Sequence, residues 1–367
     1  MMARAAWPRG LTAALLTSAL VLAGCASRTA APSAGVGLAE APAADTPSAV
    51  SLRDPDISDI AGARGQVLGR NDHLLLYRPA AGDSLRGIAA RFLGNADRAW
   101  WLAEANPGTV AEVGVPLLVP LRPLNPLGVH ADRMQTVPIL CYHRLGAGHS
   151  KMIVSPANFE AQMTWLVHAG YHVVRLPELS AFLAGEKPLP QRSVVITFDD
   201  GYESVYRHAF PVLKRLGLPA TAFVYIDFVG GGDALSWPQM QEMLASGLID
   251  IQSHTKSHRN LVERKPGETE DRHRAAVDLE LRVPRETLER RLAPLRVRYL
   301  AYPYGDADEL VLDRAARQGV ELAATVIPGG NPFYAQPLLL HRTMIFGDMS
   351  LETFKSKLQT SRPLSAP

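Results

Sequence analysis

The stretch VVITFDDG at residues 194–201 joins an apolar, β-branched run to two carboxylates and a glycine. Such a run is typical of a buried strand, and Gly201 allows a sharp turn where the strand ends. Successive residues of a strand point in opposite directions, so Asp199 and Asp200 can take different roles. The stretch therefore predicts a buried strand that brings two carboxylates to the edge of a sheet.

Seven further apolar runs have the same character, and polar residues follow several of them. The candidate strands are VPILCYH (137–143), YHVVRL (171–176), VVITFDD (194–200), ATAFVYI (220–226), LIDIQSH (248–254), RYLAYPY (298–304), LAATVI (322–327) and LLLHRTMI (338–345). Amphipathic segments between most of them predict helices, so the pattern indicates an α/β fold with a parallel sheet covered by helices. Close to eight strands favour a distorted (β/α) barrel over the alternative, an open doubly wound sheet.

The stretch HTKSH at residues 254–258 supplies two imidazoles four positions apart, close enough to hold one ion. Taken alone, the pair is more simply two surface histidines. Together with one carboxylate, however, two histidines make a three-ligand zinc site with an open position for water, which is the catalytic arrangement. His254, His258 and one Asp of the pair at 199 and 200 therefore predict a metal-dependent hydrolase.

Composition and charge indicate an ordinary globular protein. The 367 residues are 47% hydrophobic and 20% charged, with a formal net charge of +2. Without Arg4 and Arg9 of the leader, 36 basic residues face 36 acidic ones. This balance argues against nucleic acid as a partner.

The first residues resemble an export signal. A short basic start precedes an apolar segment, residues 11–23, that is too short to span a bilayer comfortably. Leu22, Ala23 and Gly24 before Cys25 resemble a bacterial lipoprotein cleavage site, which implies a signal peptide at 1–24 and lipid on Cys25; the alternatives are an ordinary signal peptide or a membrane anchor. By the same resemblance, Ala26 favours a cell-envelope location on the outer membrane, facing the periplasm. The remaining cysteine, Cys141, is expected to be a buried small hydrophobe.

Residues 25–65 are rich in Ala, Pro, Ser and Gly and predict a flexible tether. The next unit, residues 66–125, predicts a strand, two helices and a strand. Its stretches GDSLRGIAARFLGN (82–95), LAEANP (102–107) and VPLLVPL (115–121) resemble a LysM module. The resemblance implies binding to N-acetylglucosamine-containing glycans such as peptidoglycan; the alternative is a small αβ domain without that function.

Three motifs in residues 130–360 resemble those of the polysaccharide deacetylase (NodB-homology) family: TFDDGY (197–202), HTKSH (254–258) and AYPYG (301–305). The resemblance implies a metal-dependent enzyme that removes acetyl groups from glycans, with a divalent metal such as Zn²⁺. Asp199 matches the catalytic base, and Asp200, His254 and His258 match the metal ligands. Tyr304 matches the residue whose backbone N–H helps to hold the oxyanion.

The general acid is the least defined member of this set. The chain lacks a late Leu-x-x-His-Asp-type motif, and the arginine usual near the third motif is not at the family spacing, since Arg298 lies five residues before Pro303. In a permuted subgroup that includes the poly-N-acetylglucosamine deacetylases, the acid comes early, in a Tyr-His pair. Tyr142 and His143 fit that pattern and favour His143, with His341 as the alternative acid.

These features together predict an N-deacetylase of N-acetylglucosamine residues in an extracytoplasmic polysaccharide, either an exopolysaccharide or peptidoglycan. A glycan O-acetyl esterase and a catalytically inactive wall-binding lipoprotein are the alternatives. The charged segment at residues 263–274 is expected to be a solvated loop.

Overall fold

The computed structural model describes residues 62–108, 111–148 and 150–364. The predicted signal peptide, the lipidation site Cys25 and nearly all of the predicted tether therefore lie outside the described residues. None of the helices among the described residues is long and apolar enough to cross a bilayer.

The chain forms short strands and helices in alternation. The strands are β1 (Gln66–Arg70), β2 (Leu74–Arg78), β3 (Leu117–Pro120), β4 (Arg133–Gln135), β5 (Val137–Tyr142), β6 (Arg144–Leu145), β7 (Ile153–Val154), β8 (His172–Val173), β9 (Ser193–Phe198), β10 (Ala220–Val224), β11 (Ile249–Ser253), β12 (Tyr299–Ala301), β13 (Leu322–Ala324), β14 (Gly330–Asn331), β15 (Thr343–Met344) and β16 (Ser361–Pro363). The α-helices are α1 (Leu85–Leu93), α2 (Ala99–Ala105), α3 (Pro156–His168), α4 (Leu176–Leu183), α5 (Phe210–Leu216), α6 (Trp237–Ala245), α7 (Glu270–Arg291), α8 (Glu309–Arg317) and α9 (Leu351–Ser356). Short 3₁₀ turns occur at Ala96–Arg98 and Pro303–Gly305, and a π-helical turn occurs at Val205–Ala209.

The N-terminal module contains the predicted strand, two helices and strand, with β1 added in front. Its antiparallel sheet has the order β1-β2-β3 and packs a core of its own that includes Tyr77, Ile88 and Leu102. Side chains hold the ends of both helices: the Ser84 hydroxyl accepts the Gly87 N–H (3.1 Å) at the start of α1, and the Asn106 side chain bonds both α2 and β3 at the end of α2. Strand β1 was not predicted because it is only half-buried and lacks a clear apolar alternation.

The larger domain is built on a curled, mainly parallel sheet with the order β13-β12-β11-β10-β9-β5. The segment around β15 closes the ring, since Thr343 pairs with Leu140 of β5 while Leu340 bridges to Ala324 of β13. The predicted distorted (β/α) barrel is therefore confirmed. The run YHVVRL contributes less than expected, because β8 pairs only with the first two residues of β9.

Side chains alternate between the two faces of the barrel strands. Ile139 and Val195 belong to one hydrophobic cluster with Phe223 and Leu322, whereas Leu140 and Ile196 belong to another that packs against α3, α5 and α6. This period of two separates the barrel interior from the helical layer. Asp199 continues the interior-facing series of β9, which explains how a carboxylate comes to lie inside the barrel.

The expectation of a loop at residues 263–274 is wrong for its second half. Helix α7 begins at Glu270, where the Thr269 hydroxyl accepts the Arg272 N–H (3.4 Å). His273 is buried and contacts Glu268 (3.3 Å). Charged residues outnumber the few buried apolar positions of α7, which conceals its helical periodicity in the sequence.

Candidate active site

The carboxyl ends of the barrel strands bring the predicted site residues to one edge. Asp199 and Asp200 follow β9, His143 follows β5, His254 follows β11, and Tyr304 comes shortly after β12. These strands are parallel members of one sheet, so residues far apart in sequence meet in space.

Asp200, His254 and His258 form a possible metal-binding triad. The Oδ1 atom of Asp200 lies 3.5 Å from Nε2 of His254 and 3.3 Å from Nε2 of His258. One candidate ligand atom from each residue lies within 4.8 Å of the other two. Two imidazole nitrogens and a carboxylate oxygen are a donor set that suits zinc and leaves room for a further ligand.

The tautomer of His254 supports this interpretation. Its Nδ1 lies 2.7 Å from the carbonyl oxygen of Ala301, which can only accept, so Nδ1 carries the hydrogen. Nε2, on the side of Asp200, is therefore the nitrogen that can give up its proton and bind a metal. A ring N–H held by a carbonyl is the usual way in which a protein orients a metal-binding histidine.

Backbone strain is concentrated at the site. The non-glycine residues with positive φ in the described part of the chain are Asp200 (69°), Thr255 (72°), His258 (60°) and Tyr304 (61°). A residue in this region costs on the order of 1–3 kcal/mol, and such residues cluster at functional sites. The surrounding structure must therefore stabilise these conformations.

Two motif glycines are required by close contacts as well as by their backbone conformation. A Cβ atom on Gly201 (φ +79°) would lie 2.8 Å from Cγ1 of Val224, and one on Gly305 (φ +82°) would lie 2.6 Å from the Val326 nitrogen. Each glycine directly follows a strained site residue, Asp200 or Tyr304. Gly201 and Gly305 therefore let the chain turn away immediately after it.

Asp199 is engaged differently from its neighbour. Its carboxylate accepts two hydrogen bonds from the Arg342 guanidinium, Nη1 to Oδ1 and Nη2 to Oδ2, both at 2.7 Å. The Cys141 thiol lies 3.4 Å from Oδ2, and the buried position expected for Cys141 is confirmed. Burial alone would raise the pKa of Asp199, but the Arg342 and His254 charges and the Arg342 hydrogen bonds lower it to about 2.

Arg342 is the residue that sequence reasoning missed. It is fully buried, and its Nε also donates to the Thr325 carbonyl (2.8 Å). Arg298, the arginine considered from the sequence, instead pairs with Glu321 (3.3 Å) and is half exposed. The available signal was an arginine inside the apolar run LLLHRTMI, where a buried charge requires a partner.

The pKa of Asp200 is also low, for another reason. Burial would raise it, but hydrogen bonds with His254 and His258 and the positive charges of His254 and His143 lower it well below the usual range. Both neighbouring carboxylates are therefore ionised, one against an arginine and the other against two imidazoles.

The two candidate acids, His143 and His341, lie near opposite ends of β5. A ring nitrogen of His143 lies within 4.8 Å of both Cys141 Sγ and a carboxylate oxygen of Asp199. Burial lowers the pKa of His143, and the Asp199 and Asp200 charges partly oppose that effect. The Asn331 side chain bonds the backbone N–H and carbonyl of His341, both at 2.9 Å. Asn331 pairs with Val137, the first residue of β5, so His341 lies at the end of the barrel opposite to His143.

Aromatic rings surround the triad. Tyr304 is 62% exposed with its ring 5.0 Å from that of His258, and Tyr225 lies 5.2 Å from the same ring. Phe228 stacks on Tyr225, and Tyr202 contacts Phe228 edge-on. These aromatic rings form a rim of the kind that can contact sugar faces.

Comparisons with known proteins point to one family. A family model described as polysaccharide deacetylase matches residues 186–323. A Bacillus subtilis (strain 168) protein named as a candidate polysaccharide deacetylase, YxkH, is 30% identical over 234 residues, covering 64% of this chain and 80% of the relative. The poly-beta-1,6-N-acetyl-D-glucosamine N-deacetylase of Staphylococcus aureus (strain MRSA252) is 29% identical over 199 residues, covering 51% of this chain and 67% of the relative.

Solved structures show the same likeness. IcaB from Ammonifex degensii is 31% identical with a TM-score of 0.55, covering 61% of this chain and 97% of that protein. The deacetylase PplD of Streptococcus pyogenes, solved in complex with acetate, is 26% identical with a TM-score of 0.56, covering 61% of this chain and 98% of that protein. The prediction of a hydrolase of this kind is confirmed, and the chain belongs to the polysaccharide deacetylase family.

Proposed function

We propose that the protein is a metal-dependent N-deacetylase that hydrolyses the acetamide of N-acetylglucosamine residues in an extracytoplasmic polysaccharide. The observation that carries the proposal is that two adjacent carboxylates have different partners. Asp200 faces His254 and His258, whereas Asp199 is held apart by Arg342. The name of the Staphylococcus aureus relative supports the choice of substrate.

Asp200, His254 and His258 would hold the metal, for which we propose Zn²⁺. A zinc ion bound there would lower the pKa of a water ligand to about 7 and polarise the acetamide carbonyl. The Ala301 carbonyl keeps the His254 ring oriented for this role.

Asp199 would act as the general base and accept a proton from the attacking water. Arg342 holds the carboxylate ionised and fixed in the barrel interior. A carboxylate has about four lone-pair positions, so two hydrogen bonds from Arg342 leave capacity to accept a proton. General-base catalysis of this type contributes typically 10²–10⁴-fold in rate.

His143 would act as the general acid and deliver a proton to the departing nitrogen, because an unprotonated amide nitrogen is a poor leaving group. A ring nitrogen of His143 lies within 4.8 Å of a carboxylate oxygen of Asp199, so the proposed acid lies beside the proposed base. The backbone N–H of Tyr304 would help to hold the developing oxyanion.

The LysM-like module and Cys25 suggest where in the cell envelope the enzyme would act. The LysM-like module would hold the enzyme on peptidoglycan, and lipid on Cys25 would anchor it to the outer membrane, facing the periplasm. Retention on purified sacculi by the chain beginning at residue 62, and its loss from a chain beginning at residue 126, would support the first proposal. Movement of a Cys25→Ala protein from the membrane to the soluble fraction would support the second.

Acetate release from a panel of glycans tests the activity. Poly-N-acetylglucosamine and peptidoglycan should yield one free primary amine for each acetate, whereas release of acetate without amines would identify an O-acetyl esterase. Chelation should abolish the reaction and zinc should restore it, and Asp199→Asn should remain inactive in zinc. A purified, folded chain that binds no metal would instead support an inactive scaffold.

A further inference from the structure

A buried carboxylate from the helical layer holds the loop between the two candidate histidine ligands. Oε2 of Glu280, on α7, accepts the backbone N–H groups of Lys256 (3.0 Å) and Ser257 (2.8 Å). Its Oε1 accepts the Ser257 hydroxyl (2.6 Å). Glu280 itself is buried, only 6% exposed, whereas Ser257 lies at the surface.

The loop is the chief partner of this carboxylate. Within residues 62–108, 111–148 and 150–364, no ion pair includes Glu280, and its side-chain hydrogen bonds come from Lys256 and Ser257 alone. Burial of a carboxylate is unfavourable unless hydrogen bonds compensate for the lost water. Hydrogen bonds to an ionised acceptor are roughly twice as strong as neutral ones. Glu280 is therefore placed to fix the loop firmly.

The loop needs such support because its backbone is strained. Thr255 and His258 both have positive φ, 72° and 60°. Within the loop, the His258 N–H donates to the Thr255 hydroxyl (3.1 Å), and on the barrel side Asp227 N–H donates to the Lys256 carbonyl (2.9 Å). Glu280 fixes the loop from α7, on the side of the helical layer.

We propose that Glu280 is a positioning residue of the metal site. It fixes the loop so that Nε2 of His254 and Nε2 of His258 both lie beside Asp200. This inference rests on the proposed function, because it assumes that the triad holds a metal. Glu280 touches no reacting atom and acts only through the loop.

A matched pair of substitutions on α7 tests the inference. Glu280→Gln keeps the shape but removes the charge, and Glu286→Gln removes a charge paired with Arg282 on the exposed surface of the same helix. Each full chain is stripped of metal and titrated with Zn²⁺ against a chromophoric chelator, and the visible spectrum of its Co²⁺ form is recorded. Glu280→Gln should weaken Zn²⁺ binding by about 10–100-fold and alter the Co²⁺ bands. Glu286→Gln should match the wild type.

A second variant, Ser257→Ala, removes only the hydroxyl donor and should weaken binding less than Glu280→Gln; if Glu280→Gln does not fold, this titration decides. Wild-type affinity and Co²⁺ spectra in the variants would overturn the inference, even if their metal-free forms melt at lower temperature, because that result describes a purely structural residue. A wild-type chain that binds neither ion would overturn the proposed function itself, which separates the two failures.

Discussion

The guanidinium of Arg342 meets the carboxylate of Asp199 in a two-point contact, with both N···O distances at 2.7 Å. The two residues are 143 positions apart and meet in the barrel interior. A planar fork of this type fixes both the charge and the orientation of its partner.

The first prediction concerns this contact. Burial raises the pKa of Asp199, and the Arg342 guanidinium opposes this effect. The pKa of Asp199 should therefore rise in Arg342→Met. The acid limb of the kcat/KM profile should move to higher pH, and the protein should lose about 3–5 kcal/mol of stability. Arg298→Met is the control, because its exposed pair with Glu321 should contribute about 0–1 kcal/mol. An unchanged acid limb in both Arg342→Met and the milder Arg342→Lys would contradict the role of Arg342.

The second prediction concerns the general acid. His143→Gln should slow acetate release by about 10²–10⁴-fold, because His143 lies beside Asp199. His341→Gln should remain close to the wild-type rate, because Asn331 holds His341 near the start of β5. Single-turnover acetate measurements at saturating zinc compare the two, and normal turnover in the His143 variant would eliminate it as the acid.

The third prediction concerns the stability of the metal-free protein in acid. The pKa of Asp199 is about 2 in the folded protein against 3.8 for the free side chain. Its ionised form therefore contributes stability that is present above pH 3.8 and is lost as the pH falls towards 2. The contribution is about 2 kcal/mol. The free energy of unfolding in urea should fall more steeply between pH 4 and pH 2 for the wild type than for Asp199→Asn. Equal slopes would argue against a depressed pKa.

The fourth prediction concerns the metal. Zinc at about 1,000 times its Kd should stabilise the wild type by about 4 kcal/mol, which a thermal melt would show as a higher Tm. Chelation should remove both the shift and the activity. His258→Ala should lose most of the shift, since its Nε2 lies 3.3 Å from Asp200. A full shift in that variant would place the ion elsewhere.

The fifth prediction concerns Gly201. Gly201 and Gly217 both have a left-handed backbone, with φ of +79° and +67°. A Cβ atom added at Gly201 would also press against Val224, whereas one added at Gly217 would meet nothing within 4 Å. Backbone strain alone costs about 1–2 kcal/mol, so the control variant should lose that much and the Gly201 variant more. Only the Gly201 variant should also lose metal affinity, because it displaces Asp200. Equal losses in both would show that strain is the whole effect.

Much of the site could be predicted because its residues follow local rules. Asp199 and Asp200 follow β9, and HTKSH follows β11, as the apolar patterns predicted. The ends of parallel strands share one edge, so the convergence of the triad followed from the fold class.

What could not be predicted depends on long-range packing. The pairing of Arg342 with Asp199 exists only because the segment at β15 closes the barrel between β5 and β13. Glu280 reaches the histidine loop from a helix whose many charges hide its apolar face. Neither contact leaves a spacing in the sequence that a local pattern could reveal.

The closure of the barrel by residues 340–344 has a consequence for how relatives of this chain are sorted. A homologue could retain every residue of TFDDGY, HTKSH and AYPYG and still be inert if an insertion or deletion shifted the segment that carries its arginine by one position. Such a shift would turn the guanidinium out of the barrel, and the carboxylate equivalent to Asp199 would lose its arginine partner. Surveys that assign activity from the short signatures alone should therefore also check the register of the strand that closes the barrel.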